Sequence, residues 1–99
     1  MIKVIVIGKL KNANEEWKDF STRVDKKRAA IKPEGLIDYW SEIKNDVEIT
    51  VSTWKTWDNA LVWSDDPIQE EFKERRDEWY DWTKAIHIEG ENLTDPKHD

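Results

Sequence analysis

Residues Leu36 to Trp54 read LIDYWSEIKNDVEITVSTW, and the alternation within this stretch decides the fold. Successive side chains of a strand point to opposite faces, so Ile37, Tyr39, Ser41 and Ile43 fall on one side and Leu36, Asp38, Trp40 and Glu42 on the other. Large residues stand on both sides, as in a sheet with two covered faces. Asn45-Asp46 turns the chain. Val47, Ile49 and Val51 then alternate with Glu48, Thr50 and Ser52 as far as Trp54, which gives a second strand and a hairpin.

Upstream of the hairpin, Ile2 to Ile7 is almost entirely β-branched and reads as a strand that Gly8 and Lys9 loosen. Asn12 and Glu15 have capping-box spacing, and Trp17, Phe20, Val24 and Ile31 recur at helical intervals as one apolar stripe. Lys26, Lys27 and Arg28 complement the negative pole of that helix, and Pro33 and Gly35 stop it, so the basic run is a helix terminus rather than a binding patch. Downstream, Thr56 can cap a short helix in which Trp57, Ala60 and Leu61 share one face, while Asn59 and Trp63 lie one turn apart on an adjacent face. Asp66-Pro67-Ile68-Gln69 opens a further helix with the stripe Ile68, Phe72 and Trp79, and Glu71 can pair with Arg75 along its wet side. Tyr80 to Ile88 returns to period two and reads as the last strand, and 91–99 is a polar tail.

The order β, α, β, β, α, α, β predicts an α+β domain over 1–90, of the ferredoxin-like split βαβ kind with an antiparallel sheet and one helix broken in two. Helices then cover one face of the sheet. The opposite face carries Ile, Val and aromatic side chains that a 99-residue subunit has nothing left to cover, which predicts a homodimer through sheet faces.

Composition narrows the partners. With 16 Lys and Arg against 22 Asp and Glu the net charge is −6, which repels phosphodiester backbones and anionic headgroups and argues against nucleic acid and membrane. Seven Trp supply apolar area that a modest aliphatic content lacks. The absence of Cys removes disulfides, thiolate metal sites and cysteine nucleophiles, and two His, His87 and His98, cannot make a three-histidine zinc site, so no metal is expected. The first eight residues form an apolar run too short for a membrane span and without a cleavage signal, and a cytoplasmic protein is expected.

The stretch Thr53 to Gln69, TWKTWDNALVWSDDPIQ, resembles the signature region of the antibiotic biosynthesis monooxygenase (ABM) family in its strand-ending Trp54, its Ala60 and Leu61, its Trp63 and its acidic-Pro step. Arg75 to Tyr80 resembles the helix end before the last strand of many members, and Pro33-Glu34-Gly35-Leu36 the turn before the second strand. The likeness spans nearly all of 2–89. It implies a dimeric α/β barrel with a pocket between sheet and helices in each subunit. Some members oxidise polycyclic aromatic substrates with molecular oxygen and no cofactor, relatives bind and degrade haem, and many have no established activity.

The first expectation is therefore a cofactor-independent monooxygenase acting on a small aromatic or quinol substrate. By this resemblance Asn59 and Trp63 are the catalytic pair, with Tyr39, Trp54, Phe72 and His87 as substrate-binding residues. Such chemistry asks for an apolar slot, orienting hydrogen bonds and exclusion of water, since a phenolate can itself give an electron to oxygen. Each residue also has a plainer reading: Trp63, Trp54 and Phe72 as core, Asn59 as a capping or solvated group, His87 as an interface residue. A non-catalytic dimeric module that binds a small molecule is the second expectation. A haem-degrading enzyme is the third, and it ranks lower because Glu70 to Lys73, where haem-degrading relatives carry a histidine, has none. Asp38 and Glu42 lie about 13 Å apart on one strand face and cannot share a proton. Glu70, Glu71, Glu74, Asp77 and Glu78 read as a solvated helix side, and the three glycines form no phosphate loop.

Overall fold

The computed structural model describes residues 1–90, and the expected tail at 91–99 lies outside the described residues. The elements are β1 (Ile2–Leu10), α1 (Glu15–Ile31), β2 (Leu36–Lys44), β3 (Val47–Trp54), α2 (Trp57–Ser64), α3 (Ile68–Trp79) and β4 (Tyr80–Glu89). They form one antiparallel sheet in the order β2-β3-β1-β4, with the helices on one face. This is the ferredoxin-like α+β arrangement read from the sequence.

The β2–β3 turn holds Asn45 at φ 52° and Asp46 at φ 64°. Two successive left-handed residues match the right-handed twist of the strands they join, and Asn and Asp tolerate that conformation better than other side chains. Register fixes the faces. Ile2 and Val4 of β1 oppose Trp54 and Ser52 of β3, and together with Val6 and Thr50 they lie under the helices. Ile5, Ile7, Ile49 and Val51 face the other way, beside Ile86 and Ile88 of β4 and Trp40 of β2. Two irregularities adjust this pattern. One at Leu36/Asp38 brings Leu36 to the helix side next to Trp54, and one at Lys9/Leu10 does the same for Tyr80 beside Leu10.

The core lies between sheet and helices in two parts. Leu10, Trp17, Phe20, Trp79 and Tyr80 form one cluster, and Ile2, Trp54 and Ala60 the other. Phe20 bridges α1 and α3 by stacking at 6.4 Å on Phe72 and 5.2 Å from Trp79.

Several local expectations need correction. The N-cap of α1 is Asn14, whose side chain accepts from the Trp17 N–H at 2.9 Å, and not Asn12, whose own N–H is taken by the Trp79 carbonyl. The apolar stripe of α1 ends at Val24, because Ile31 is exposed and the position one turn before it belongs to Arg28, which turns toward β2. Glu71 pairs with Arg23 rather than Arg75, and Arg75 holds Glu16 and Glu78. The acidic side of α3 is thus partly spent on tying α3 to α1. The Thr56 cap forms as read, its hydroxyl accepting from the Asn59 N–H at 3.1 Å, and Asp66 accepts from the Ile68 N–H at 3.0 Å.

Candidate functional site

Between the two core clusters the helices stand away from the sheet and leave a cavity of about 360 Å³. Its apolar walls are Val4 and Val6 of β1, Trp17, Phe20 and Val24 of α1, Ala60 and Trp63 of α2, and Phe72 of α3. Its floor is polar. Glu48, Thr50 and Ser52 of β3 line it beside Tyr39 of β2, Tyr80 of β4 and the indole of Trp54. The polar set of β3 therefore faces inward and the apolar set outward, an inversion that makes sense only if the inner surface is not pure core.

The floor is organised around one oxygen. The Tyr80 hydroxyl donates to Glu48 Oε1 at 2.6 Å and accepts from Trp17 Nε1–H at 3.0 Å, which joins α1, β4 and β3 in a single chain. Burial pushes the Glu48 carboxyl up from its ordinary value, the Tyr80 hydrogen bond opposes this, and the nearby Asp25 charge adds to it. Burial also raises the phenols of Tyr39 and Tyr80, with the adjacent Glu48 charge adding to the effect on Tyr80. Tyr80 is further held in place by Gly8, where a Cβ would come within 2.7 Å of its ring.

The mouth is charged. Arg28 lays its guanidinium 3.3 Å from the Tyr39 ring centroid while donating to Asp25 at 2.8 Å, and Lys73 and Arg76 line the α3 side. A second, shallower depression of about 460 Å³ along β2 shares Asp25, Arg28 and Tyr39 with the first. These three residues are thus the rim common to both.

Four of the six residues singled out in the sequence line the cavity: Trp63, Tyr39, Trp54 and Phe72. The Trp63 N–H makes no hydrogen bond among the described residues, whereas the Trp54 N–H donates to Ser52 at 2.8 Å. Asn59 and His87 are elsewhere. Asn59 accepts from the Thr56 hydroxyl at 2.8 Å and fits against Gly35, whose φ of 79° and missing Cβ leave room for the carboxamide. His87 is exposed on β4 with its ring 4.7 Å from that of Trp57, outside the lining. Sequence reasoning missed Glu48, Tyr80, Trp17 and Arg28. The available signal was the run of polar residues at alternate positions of β3, which had to face something other than apolar core.

Among the described residues no three His, Asp or Glu side chains are placed to hold a metal ion. Among the described residues no imidazole lines the cavity. No helix among the described residues is long and apolar enough to cross a membrane.

No protein-family model matches the sequence, and no curated protein matches it by sequence. Solved structures do match in three dimensions. One described as an antibiotic biosynthesis monooxygenase from Nitrosomonas europaea superposes with a TM-score of 0.75 over 91% of this chain and 98% of that one, at 15% identity. A conserved protein from Methanosarcina mazei Go1 gives 0.75 over 91% and 92% at 17% identity. SnoaB, described as a cofactor-independent oxygenase from Streptomyces nogalater, gives 0.72 over 95% and 96% at 8% identity. The chain has the ABM-domain fold.

Proposed function

We propose that the cavity binds a small hydroxylated aromatic molecule and oxidises it with molecular oxygen, without a bound cofactor. The observation that carries this reading is the combination of aromatic walls with a half-buried carboxylate on the floor, within a fold shared with a described cofactor-independent oxygenase. Trp63 offers an indole face and an N–H that no described residue accepts, Phe72 and Phe20 offer edges and faces, and Tyr39 closes the mouth under Arg28. For an anthrone-type ring the balance is a CH2 group plus O2 giving a ketone and water, with the four electrons supplied by the substrate. The protein's part is to hold the ring, manage its proton and keep water away. Asn59 lies outside this lining, accepting from the Thr56 hydroxyl at the first turn of α2, whose last turn carries Trp63.

The same reading takes the chain to be a homodimer through sheet faces. The uncovered face carries Ile5, Ile7, Ile49, Ile86, Ile88 and Trp40, with charged residues such as Lys3, Lys84 and Glu42 beside them, and Trp40 is 44% exposed in the single subunit.

Oxygen uptake with a panel of anthrones and hydroxynaphthoquinones tests the activity. Stoichiometric uptake that falls in Trp63→Ala supports it. Tight binding of these compounds without uptake would replace it by a binding module, and neither binding nor uptake would remove the cavity as the site.

A further inference from the structure

We infer that Glu48 is the residue that takes the proton from the ligand's hydroxyl, held for that purpose by Tyr80, so that the cavity selects aromatic molecules carrying a free O–H donor. The inference rests on the reading of the cavity given above and adds to it a residue and a ligand class. In the step itself, the ligand O–H bond breaks with its electron pair left on the ligand oxygen, and the proton forms a new bond to Glu48.

The titratable groups lining the cavity are Asp25 and Arg28 on α1, Tyr39 on β2, Glu48 on β3, Lys73 and Arg76 on α3, and Tyr80 on β4. Tyr39 and Tyr80 keep their protons, because burial raises both phenols. Asp25 is engaged by Arg28 at 2.8 Å, and the cations accept nothing. Glu48 is left. It forms no ion pair among the described residues, and of its two carboxylate oxygens Oε1 takes the Tyr80 hydrogen at 2.6 Å while Oε2 has no partner. A carboxylate buried against aromatic rings without a cation is costly to keep, and an acceptor site left open on it is what a ligand hydroxyl would fill.

Tyr80 is a positioning residue. Its own hydrogen is committed to Glu48 and its lone pair to Trp17 Nε1–H, so it fixes which carboxylate oxygen stays open. A cationic ligand is disfavoured, since Arg28, Lys73 and Arg76 surround the mouth. A ligand bearing only ether or carbonyl oxygens presents nothing that Glu48 can accept.

The test uses the full chain, with 2-naphthol and 2-methoxynaphthalene as probes that do not react with oxygen. Wild type is expected to bind the naphthol about tenfold more tightly than the ether at pH 8, and to lose that preference as the pH falls toward 4.5 and Glu48 becomes protonated. Glu48→Gln, nearly the same shape, is expected to bind both probes alike at every pH, and Tyr80→Phe to move the inflection to higher pH. In turnover, Glu48→Gln is expected to lose about 100-fold in kcat at neutral pH and to raise KM by about the same tenfold that it loses in naphthol binding, and kcat is expected to recover as the pH rises and the substrate ionises in solution. A naphthol preference that persists unchanged in Glu48→Gln overturns the assignment of Glu48 while leaving the cavity reading intact. Failure of both probes to bind wild type overturns the two together. The expected binding pattern without any oxygen uptake upholds Glu48 as the proton acceptor and refutes oxygenation.

Discussion

Replacing Tyr80 with Phe removes one oxygen and keeps the ring. The ring is what Gly8 and Phe72 touch, the latter edge-on at 5.7 Å, so packing survives and the loss is confined to hydrogen bonding. Two bonds go: one from the hydroxyl to a carboxylate at 2.6 Å and one from the buried Trp17 indole at 3.0 Å. A bond to a charged acceptor contributes about 1.5–3 kcal/mol and a neutral one about 1 kcal/mol, so the variant should be less stable by about 2–4 kcal/mol at pH 8. For a domain of this size that lowers Tm by roughly 10–25 °C. The pH dependence has a definite sign. Glu48 already has its folded value raised by burial, so its ionisation costs stability as pH climbs through that value, and the Tyr80 hydrogen bond offsets part of the cost. Without the hydroxyl the folded value rises further. The penalty of Tyr80→Phe should therefore be largest at pH 8 and shrink below the ordinary carboxylate value of 4.5. Thermal melts at pH 8 and pH 4 measure it. A loss below about 0.5 kcal/mol, or one that is the same at both pH values, would refute the view that this hydroxyl stabilises the carboxylate.

Glu48→Gln removes a half-buried charge that forms no ion pair among the described residues, so it is expected to melt above wild type at pH 8 and no higher at pH 4, the opposite of the usual effect of losing a polar contact. Asn59→Ala leaves the lining untouched and is expected to bind 2-naphthol with unchanged affinity by fluorescence titration, while Thr56→Ala, which loses the α2 cap, lowers stability by about 1 kcal/mol. Ile5→Lys places a charge on a central strand of the uncovered sheet face and is expected to convert a dimer to single subunits in sedimentation velocity; an unchanged sedimentation coefficient would move the interface elsewhere.

Element order, the hairpin with its Asn45-Asp46 turn and the Thr56 cap were all legible, because period-two and helical patterns are local properties of the chain. What alternation could not supply is which face meets the helices. Val47, Ile49 and Val51 look like the inward set of β3, yet Glu48, Thr50 and Ser52 lie under the helices, because the pairing of Ser52 with Val4 and Tyr39 carries them there. The site followed the same division. Large aromatics that fold against a sheet were recognisable, so Trp63, Trp54, Tyr39 and Phe72 were found. Glu48 and Tyr80 meet only through strand register across 32 residues of sequence, and no spacing rule joins them. Asn59 was assigned by the resemblance, as the amide one turn before Trp63, and His87 as a polar ring on the last strand. The Gly35 turn holds Asn59, and the edge position of β4 sets His87, opposite Val4, against Trp57 of α2.

The most direct test of the account is to titrate 2-naphthol into 15N-labelled protein and follow the indole N–H signals of its seven Trp. Trp17 and Trp63, which line the cavity, should shift together and saturate with one ligand per subunit, while Trp40 and Trp82, on the uncovered sheet face, hold still. Shifts confined to Trp40 and Trp82 would contradict it, by placing the ligand on the open sheet instead of beneath the helices.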